Sequence, residues 1–185
     1  MQIIDEAKNI VLIGLMGSGK SAIGRTIAKT LARRFIDTDR YLERKVGKTI
    51  AEIFEQDGES QFRAYEKEVI KKVSQYIGIV IATGGGAIKD PENFKYLKES
   101  GWIIALYASP ETLYNRISGK RTRPLLLNQD DPVKKLEEIQ NERKTIYAKA
   151  DFQVDTENKE INQIADEIIS LLNINKPVGV FDLGL

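Results

Sequence analysis

Apolar residues in this chain fall into two kinds of pattern. Continuous runs bounded by turn signals read as strands buried on both faces: Ile10 to Ile13, Ile77 to Thr83 and Trp102 to Tyr107. Two shorter runs, Arg34 to Asp37 and Phe152 to Val154, bring the expected number of strands to five. Helical spacing fills the intervals, over Lys20 to about Arg33, Asp39 to Val46, Thr49 to Gln56, Ser60 to Tyr76, Pro132 to about Lys149 and Glu160 to Leu172. Thr49 followed by Glu52 makes a capping box, and Asp90-Pro91, Ser109-Pro110 and Asp131-Pro132 each set a capping side chain before a proline at the first helical position.

Strands alternating with helices predict an α/β fold, a five-stranded parallel sheet with helices on both faces. Repeats and linkers are absent, so residues 1–185 are expected to form one domain with two excursions from a common core. One covers about 39–76. The other, a polar and basic loop at about 118–131, has the character of a lid. In such a sheet ligands sit beyond the carboxyl ends of the strands, which places the loops starting at Gly14, Asp37 and Gly84 on one edge.

Composition narrows the chemistry. Of 185 residues 42% are hydrophobic and 30% charged, with a formal net charge of +1. That balance offers no broad field to attract nucleic acid, and no apolar run is long enough to span a bilayer, so neither partner is expected. With no Cys there is no disulfide or thiolate chemistry, and a reducing cytoplasm is the expected compartment. His is absent too, so a general base must come from Asp, Glu or, less often, Lys or Tyr. The start of the chain, Met1 to Lys8, lacks the build of a signal peptide.

Gly14-Leu15-Met16-Gly17-Ser18-Gly19-Lys20-Ser21 fits G-x-x-x-x-G-K-[ST] at every fixed position, with a strand before it and a helix after. Glycines allow backbone N–H groups to curl around an oxyanion, the following helix presents its positive end, and Lys20 adds a mobile cation. Ser21 offers a hydroxyl to a magnesium ion.

Four other groups are less specific. Asp37-Thr38-Asp39 sets two acids at a strand end, where extended alternation would point both the same way; one suits a metal's water shell, the other an acceptor hydroxyl. Asp39 serves equally well as the cap of the next helix. Arg63 and Glu66 lie three apart on a helix, spacing that also describes an ordinary surface ion pair. Gly84-Gly85-Gly86 suggests close approach by a ligand, or a flexible turn. Arg116, Arg121, Arg123 and Arg143 are suited to the charge of a transferred phosphoryl group, while a solvated basic loop would look the same.

Taken in order, Gly14 to Ser21, Asp37-Thr38-Asp39, Phe62-Arg63 through Glu66, Gly84-Gly85-Gly86, Arg123-Pro124-Leu125-Leu126 and Arg143 resemble the shikimate kinase family, a nucleoside-monophosphate-kinase-like branch of P-loop kinases. The resemblance covers residues 8–172. It implies transfer of the ATP γ-phosphate to the 3-hydroxyl of shikimate, on the route to chorismate and the aromatic amino acids; a monomer is expected. By the same resemblance Gly17, Ser18, Gly19, Lys20, Ser21, Ala22, Arg116 and Arg123 bind ATP, with Arg116 against adenine and Lys20 and Arg123 steadying the transferred group. Asp39, Arg63, Gly84, Gly85, Gly86 and Arg143 bind shikimate, the arginines on its carboxylate and Asp39 on its hydroxyls. Glu66 orients Arg63, Ser21 ligates Mg2+, and Asp37 reaches the ion through water.

The chain departs from that pattern around Asp155 to Lys159, where no proline or arginine completes the adenine pocket. The tail 173–185 lies outside the resemblance and is expected to be disordered. A kinase of the same branch acting on gluconate or a nucleotide is the nearest rival. A nucleotide switch fits poorly: no D-x-x-G occurs, and Asn175-Lys176-Pro177-Val178 lacks the final acid of N-K-x-D.

Overall fold

The computed structural model describes residues 7–118 and 131–173. Five parallel strands form the sheet among them: β1 (Asn9–Gly14), β2 (Phe35–Asp37), β3 (Val80–Ala82), β4 (Gly101–Tyr107) and β5 (Phe152–Asp155), in the order β2-β3-β1-β4-β5. Eight α-helices accompany them among the described residues: α1 (Lys20–Thr30), α2 (Thr38–Val46), α3 (Ile50–Gln56), α4 (Gly58–Val73), α5 (Pro91–Ser100), α6 (Pro110–Ile117), α7 (Pro132–Tyr147) and α8 (Ile161–Leu171).

Strand β1 is central and wholly buried, and its period-two alternation feeds both faces. Val11 and Ile13 join Ile81, Ile103 and residues of α2 to α5 such as Leu42, Ile53, Ile70 and Leu97. Ile10 and Leu12 join Val80, Ile104 and Leu106 beneath α1 and α8. Each such fully buried Leu or Ile contributes roughly 1.5–3 kcal/mol of burial, and the buried polar residues Asn9 and Thr83 stand at the ends of these runs.

A third cluster lies past the strand ends. Leu15 and Met16, the first two variable positions of the glycine motif, pack with Leu113, Ile117, Leu136 and Ile139 of α6 and α7. The motif's loop is thus fastened from below by its own apolar residues. Gly17 has φ 83°, and a Cβ there would lie 2.6 Å from the Leu113 carbonyl, so glycine is required twice over.

Register aligns the carboxyl ends. Asp37 and Leu12 both pair with Ala82, and Gly14 pairs with Leu106. The loops after β1, β2 and β3 therefore open on one edge, as the alternation of elements predicts.

Helix starts follow the capping chemistry. Thr49 and Glu52 form the reciprocal box, and the side chains of Asp90, Ser109 and Asp131 accept from backbone N–H groups of α5, α6 and α7. The differences from the sequence reading lie mostly at ends: α1 stops at Thr30, α4 runs from Gly58 to Val73, and the apolar run from Ile77 pairs as a strand only over Val80–Ala82. A 3-10 turn at Ala87–Lys89 has no signal in the apolar pattern; the buried Asn93 amide orders it by donating to the Ala87 carbonyl at 3.0 Å.

The larger correction is at Asp37-Thr38-Asp39. The chain turns helical at Thr38, so no extended alternation orients the two acids. Asp37 is the cap, accepting from Arg40 N at 3.3 Å, and Asp39 is in the first turn. Between them Thr38 is buried. No helix among the described residues is long and apolar enough to cross a membrane.

Candidate active site

One half of the site is built on β1 and α1. Helix α1 begins after Gly19 (φ 91°) with no side-chain cap and no acid in its first turn, so its positive end is left for an anion. The buried Lys20 ammonium reaches back over the loop and donates to the Gly14 and Leu15 carbonyls at 2.9 and 2.8 Å. The Ser18 hydroxyl is fully buried beneath the same cradle and has no hydrogen-bond partner among the described residues.

Ser21 and Asp37 meet at the junction of the two halves. The Ser21 hydroxyl donates to Asp37 Oδ2 at 2.6 Å, bringing the end of β2 to the first turn of α1. A hydroxyl beside a carboxylate is a hard oxygen pair, and no group of three or more acidic side chains among the described residues forms a dedicated metal cage. That donor set fits Mg2+, which takes few protein ligands and fills the rest of its octahedron with water and phosphate oxygens.

The other half converges on Gly84-Gly85-Gly86. A Cβ on Gly84 would collide with Asp39 Oδ1 and lie 3.1 Å from Glu66 Oε1; one on Gly86 would lie 2.9 Å from the Arg63 guanidinium. Three side chains from two helices, α2 and α4, therefore pack directly against backbone here, and the cost of consecutive glycines is explained by space. Thr38 holds the loop, its hydroxyl accepting from Gly84 N at 2.9 Å. Arg143, only 5% exposed on α7, donates from Nη1 to the Gly85 carbonyl, and its Nε has no hydrogen-bond partner among the described residues.

The Arg63–Glu66 spacing is not a surface pair. Glu66 is 3% exposed and accepts from Arg63 Nη1 at 2.8 Å, while Glu59 takes Nη2 at 3.0 Å from the solvent side. Burial pushes the Glu66 carboxyl above its usual range; Arg63 and, more weakly, Arg143 oppose the rise. Burial also works against the Arg63 cation, but Glu66 and Glu59 more than offset it. The site thus presents two buried or half-buried guanidiniums beside the glycine loop, with two carboxylates, Glu66 paired to Arg63 and Asp39 on α2. That arrangement suits a small anionic polyol, with forks for a carboxylate and acids for hydroxyls.

Arg116 lies on the far side of the cradle. Its guanidinium donates to Thr156 Oγ1 at 2.9 Å, the Thr156 carbonyl at 2.6 Å and the Gly17 carbonyl at 3.5 Å. Arg121 and Arg123, with most of the expected lid, lie outside the described residues. Thr38, Glu59, Thr156 and Glu157 were not among the candidates drawn from sequence. Only Thr38 had a signal there, as a small polar residue between two acids at a strand end.

Known proteins share this fold and much of this sequence. The family model described as shikimate kinase matches residues 16–173. A shikimate kinase from Pelotomaculum thermopropionicum is 44% identical over 165 residues, covering 89% of this chain and 95% of that protein. Another from Caldanaerobacter subterraneus is 44% identical over 162 residues, covering 88% and 94%. Among solved structures, shikimate kinase from Acinetobacter baumannii in complex with shikimate superimposes with a TM-score of 0.86 at 36% identity, over 90% of this chain and 93% of that one.

Proposed function

The chain belongs to the shikimate kinase family, and we propose that it transfers the ATP γ-phosphate to the 3-hydroxyl of shikimate using the two half-sites on one sheet edge. The observation that carries this assignment of roles is the crowding of Asp39, Arg63 and Arg143 around a glycine loop facing the phosphate cradle.

The cradle from Gly17 to Ala22 holds the β- and γ-phosphates on backbone N–H groups, with Lys20 turning from the loop carbonyls to the transferred group. Arg116 borders the adenine, and Arg123 adds the positive charge that the family pattern assigns to it. Arg63 and Arg143 clamp the shikimate carboxylate. Glu66 keeps Arg63 in place, and Gly84 to Gly86 let the acceptor ring approach the backbone.

Clamped in this way, the 3-hydroxyl lies beside Asp39 with its oxygen in line with the γ-phosphorus. A bond forms from O3 to phosphorus as the bond to the β,γ-bridging oxygen breaks, and the hydroxyl proton passes to Asp39. In a chain without His, Asp39 is the acid placed for that task. Ser21, and Asp37 through water, would hold Mg2+, which would supply positive charge to the phosphate oxygens. Much of the catalysis is positioning, so a monomer with both half-sites in one chain is sufficient.

Asp39→Asn tests the assignment. ATP consumption in the parent should require both shikimate and Mg2+. The variant should lose roughly 10²–10⁴-fold in turnover while its affinity for ATP stays within about twofold. Unchanged turnover would remove Asp39 from the mechanism, and ATP consumption indifferent to shikimate would remove the acceptor.

A further inference from the structure

The segment between β5 and α8, where the sequence lacks the family's proline or arginine, is fastened to α6 at both of that helix's ends. At the start of α6, the Glu157 carboxylate accepts from Ser109 N at 2.8 Å, from Ser109 Oγ at 3.3 Å and from the Thr112 hydroxyl. At the other end, Arg116 grips Thr156 through both its hydroxyl and its carbonyl. Thr156 is itself buried, with its N–H and hydroxyl both on the Tyr107 carbonyl. Glu157 N closes a turn by donating to Asp155 Oδ1 at 2.8 Å, and Asn158 follows with φ 52°.

This double fastening lies on the nucleotide's side of the cradle. Residues of β2, β3 and α4 occupy the opposite side, around Gly84 to Gly86, so a base extending from the phosphates must leave toward β4 and β5. There it meets α6, which touches the cradle at Gly17, and the 155–158 turn bound to α6. Thr112 and Ser109 hold Glu157 as a carboxylate, below its usual pKa range, so the clasp is charged at neutral pH.

We propose that Glu157 is a positioning residue for the nucleotide: by clasping the 155–158 turn to the first turn of α6 it holds Thr156, and through Thr156 the Arg116 guanidinium, as the wall against which the base rests. The chain thereby replaces a missing base-contacting side chain with a preorganised turn. Glu157 itself touches neither substrate. The inference rests on the assignment of Arg116 to the base.

The test is Glu157→Ala beside Glu157→Gln and Arg116→Ala, with steady-state kinetics for ATP, GTP and shikimate. Glu157→Ala should raise KM for ATP about three- to tenfold, the scale expected when one ordered surface must be ordered anew on binding. It should also narrow the preference for ATP over GTP by about the same factor, since the wall that selects the base has loosened. Glu157→Gln keeps an accepting oxygen and should recover part of the loss. The kcat and the KM for shikimate should hold within about twofold, which a general loss of structure would not allow. If Arg116→Ala weakens ATP and Glu157→Ala does not, the clasp is refuted and the base assignment stands. If Arg116→Ala leaves ATP untouched, the base assignment fails and the clasp with it. Equal losses for both substrates in Glu157→Ala would likewise overturn the proposal.

Discussion

Gly84→Ala isolates the acceptor half of the site with a single methyl group. Gly84 is not in the left-handed region, so the substitution strains no backbone; it acts through space alone. The added Cβ would meet Asp39 Oδ1 well inside contact distance, with Asp39 Cγ at 3.3 Å and Glu66 Oε1 at 3.1 Å. Glu66 is fixed by Arg63 and cannot retreat, so Asp39 must move, by about 1 Å to restore ordinary contact. A displacement of that size at a reacting group costs on the order of 10²-fold in rate. Overpacking takes about 1–3 kcal/mol from stability. Reduced freedom of the unfolded chain returns about 0.4–1 kcal/mol. The variant should therefore remain folded, with a net loss of up to about 2.5 kcal/mol. Steady-state ADP release at saturating shikimate should fall by about two orders of magnitude while KM for ATP changes by less than about twofold. Gly85→Ala has nothing nearer its Cβ than Met16 N at 3.7 Å, so its thermal stability should equal or exceed the parent's. A Gly84→Ala enzyme that kept turnover within about threefold of the parent would refute both the crowding and the role of Asp39.

Two further substitutions probe charge. Asp37→Asn preserves a side chain that caps α2, so stability should move by less than about 0.5 kcal/mol, yet the Mg2+ concentration for half-maximal activity should rise about tenfold; unchanged Mg2+ dependence would detach Asp37 from the ion. Glu66→Gln tests a pH dependence of stability. Because burial raises the native Glu66 pKa, the folded protein binds this proton more readily than the unfolded chain. Its contribution is full below the ordinary value of 4.5 and is lost as pH rises through the higher native value. In urea titrations from pH 4 to 7 the variant should gain on the parent as pH rises, and a gain in the opposite direction would overturn the desolvation argument.

Short-range physics accounts for everything that was legible along the chain. Continuous apolar runs, proline after a capping residue and the glycine motif each act over a few neighbours, and the α/β alternation, the parallel sheet and the phosphate cradle with its flanking strand and helix could be read from them. Side-chain direction at the site could not. Whether Asp37 or Asp39 caps α2 depends on where the chain turns helical. The weight of the Arg63–Glu66 pair depends on burial, because the same i,i+3 spacing on a solvated face contributes little. Which of three consecutive glycines lacks room for a methyl is decided by α2 and α4, some 20 to 45 positions away in the chain. Likewise Thr38 on Gly84, Arg143 on Gly85 and Glu157 on Ser109 join positions 46, 58 and 48 apart. Local pattern specifies elements; only their packing brings these polar groups within hydrogen-bonding distance, and the acceptor pocket and the wall beside Arg116 are made of such pairs.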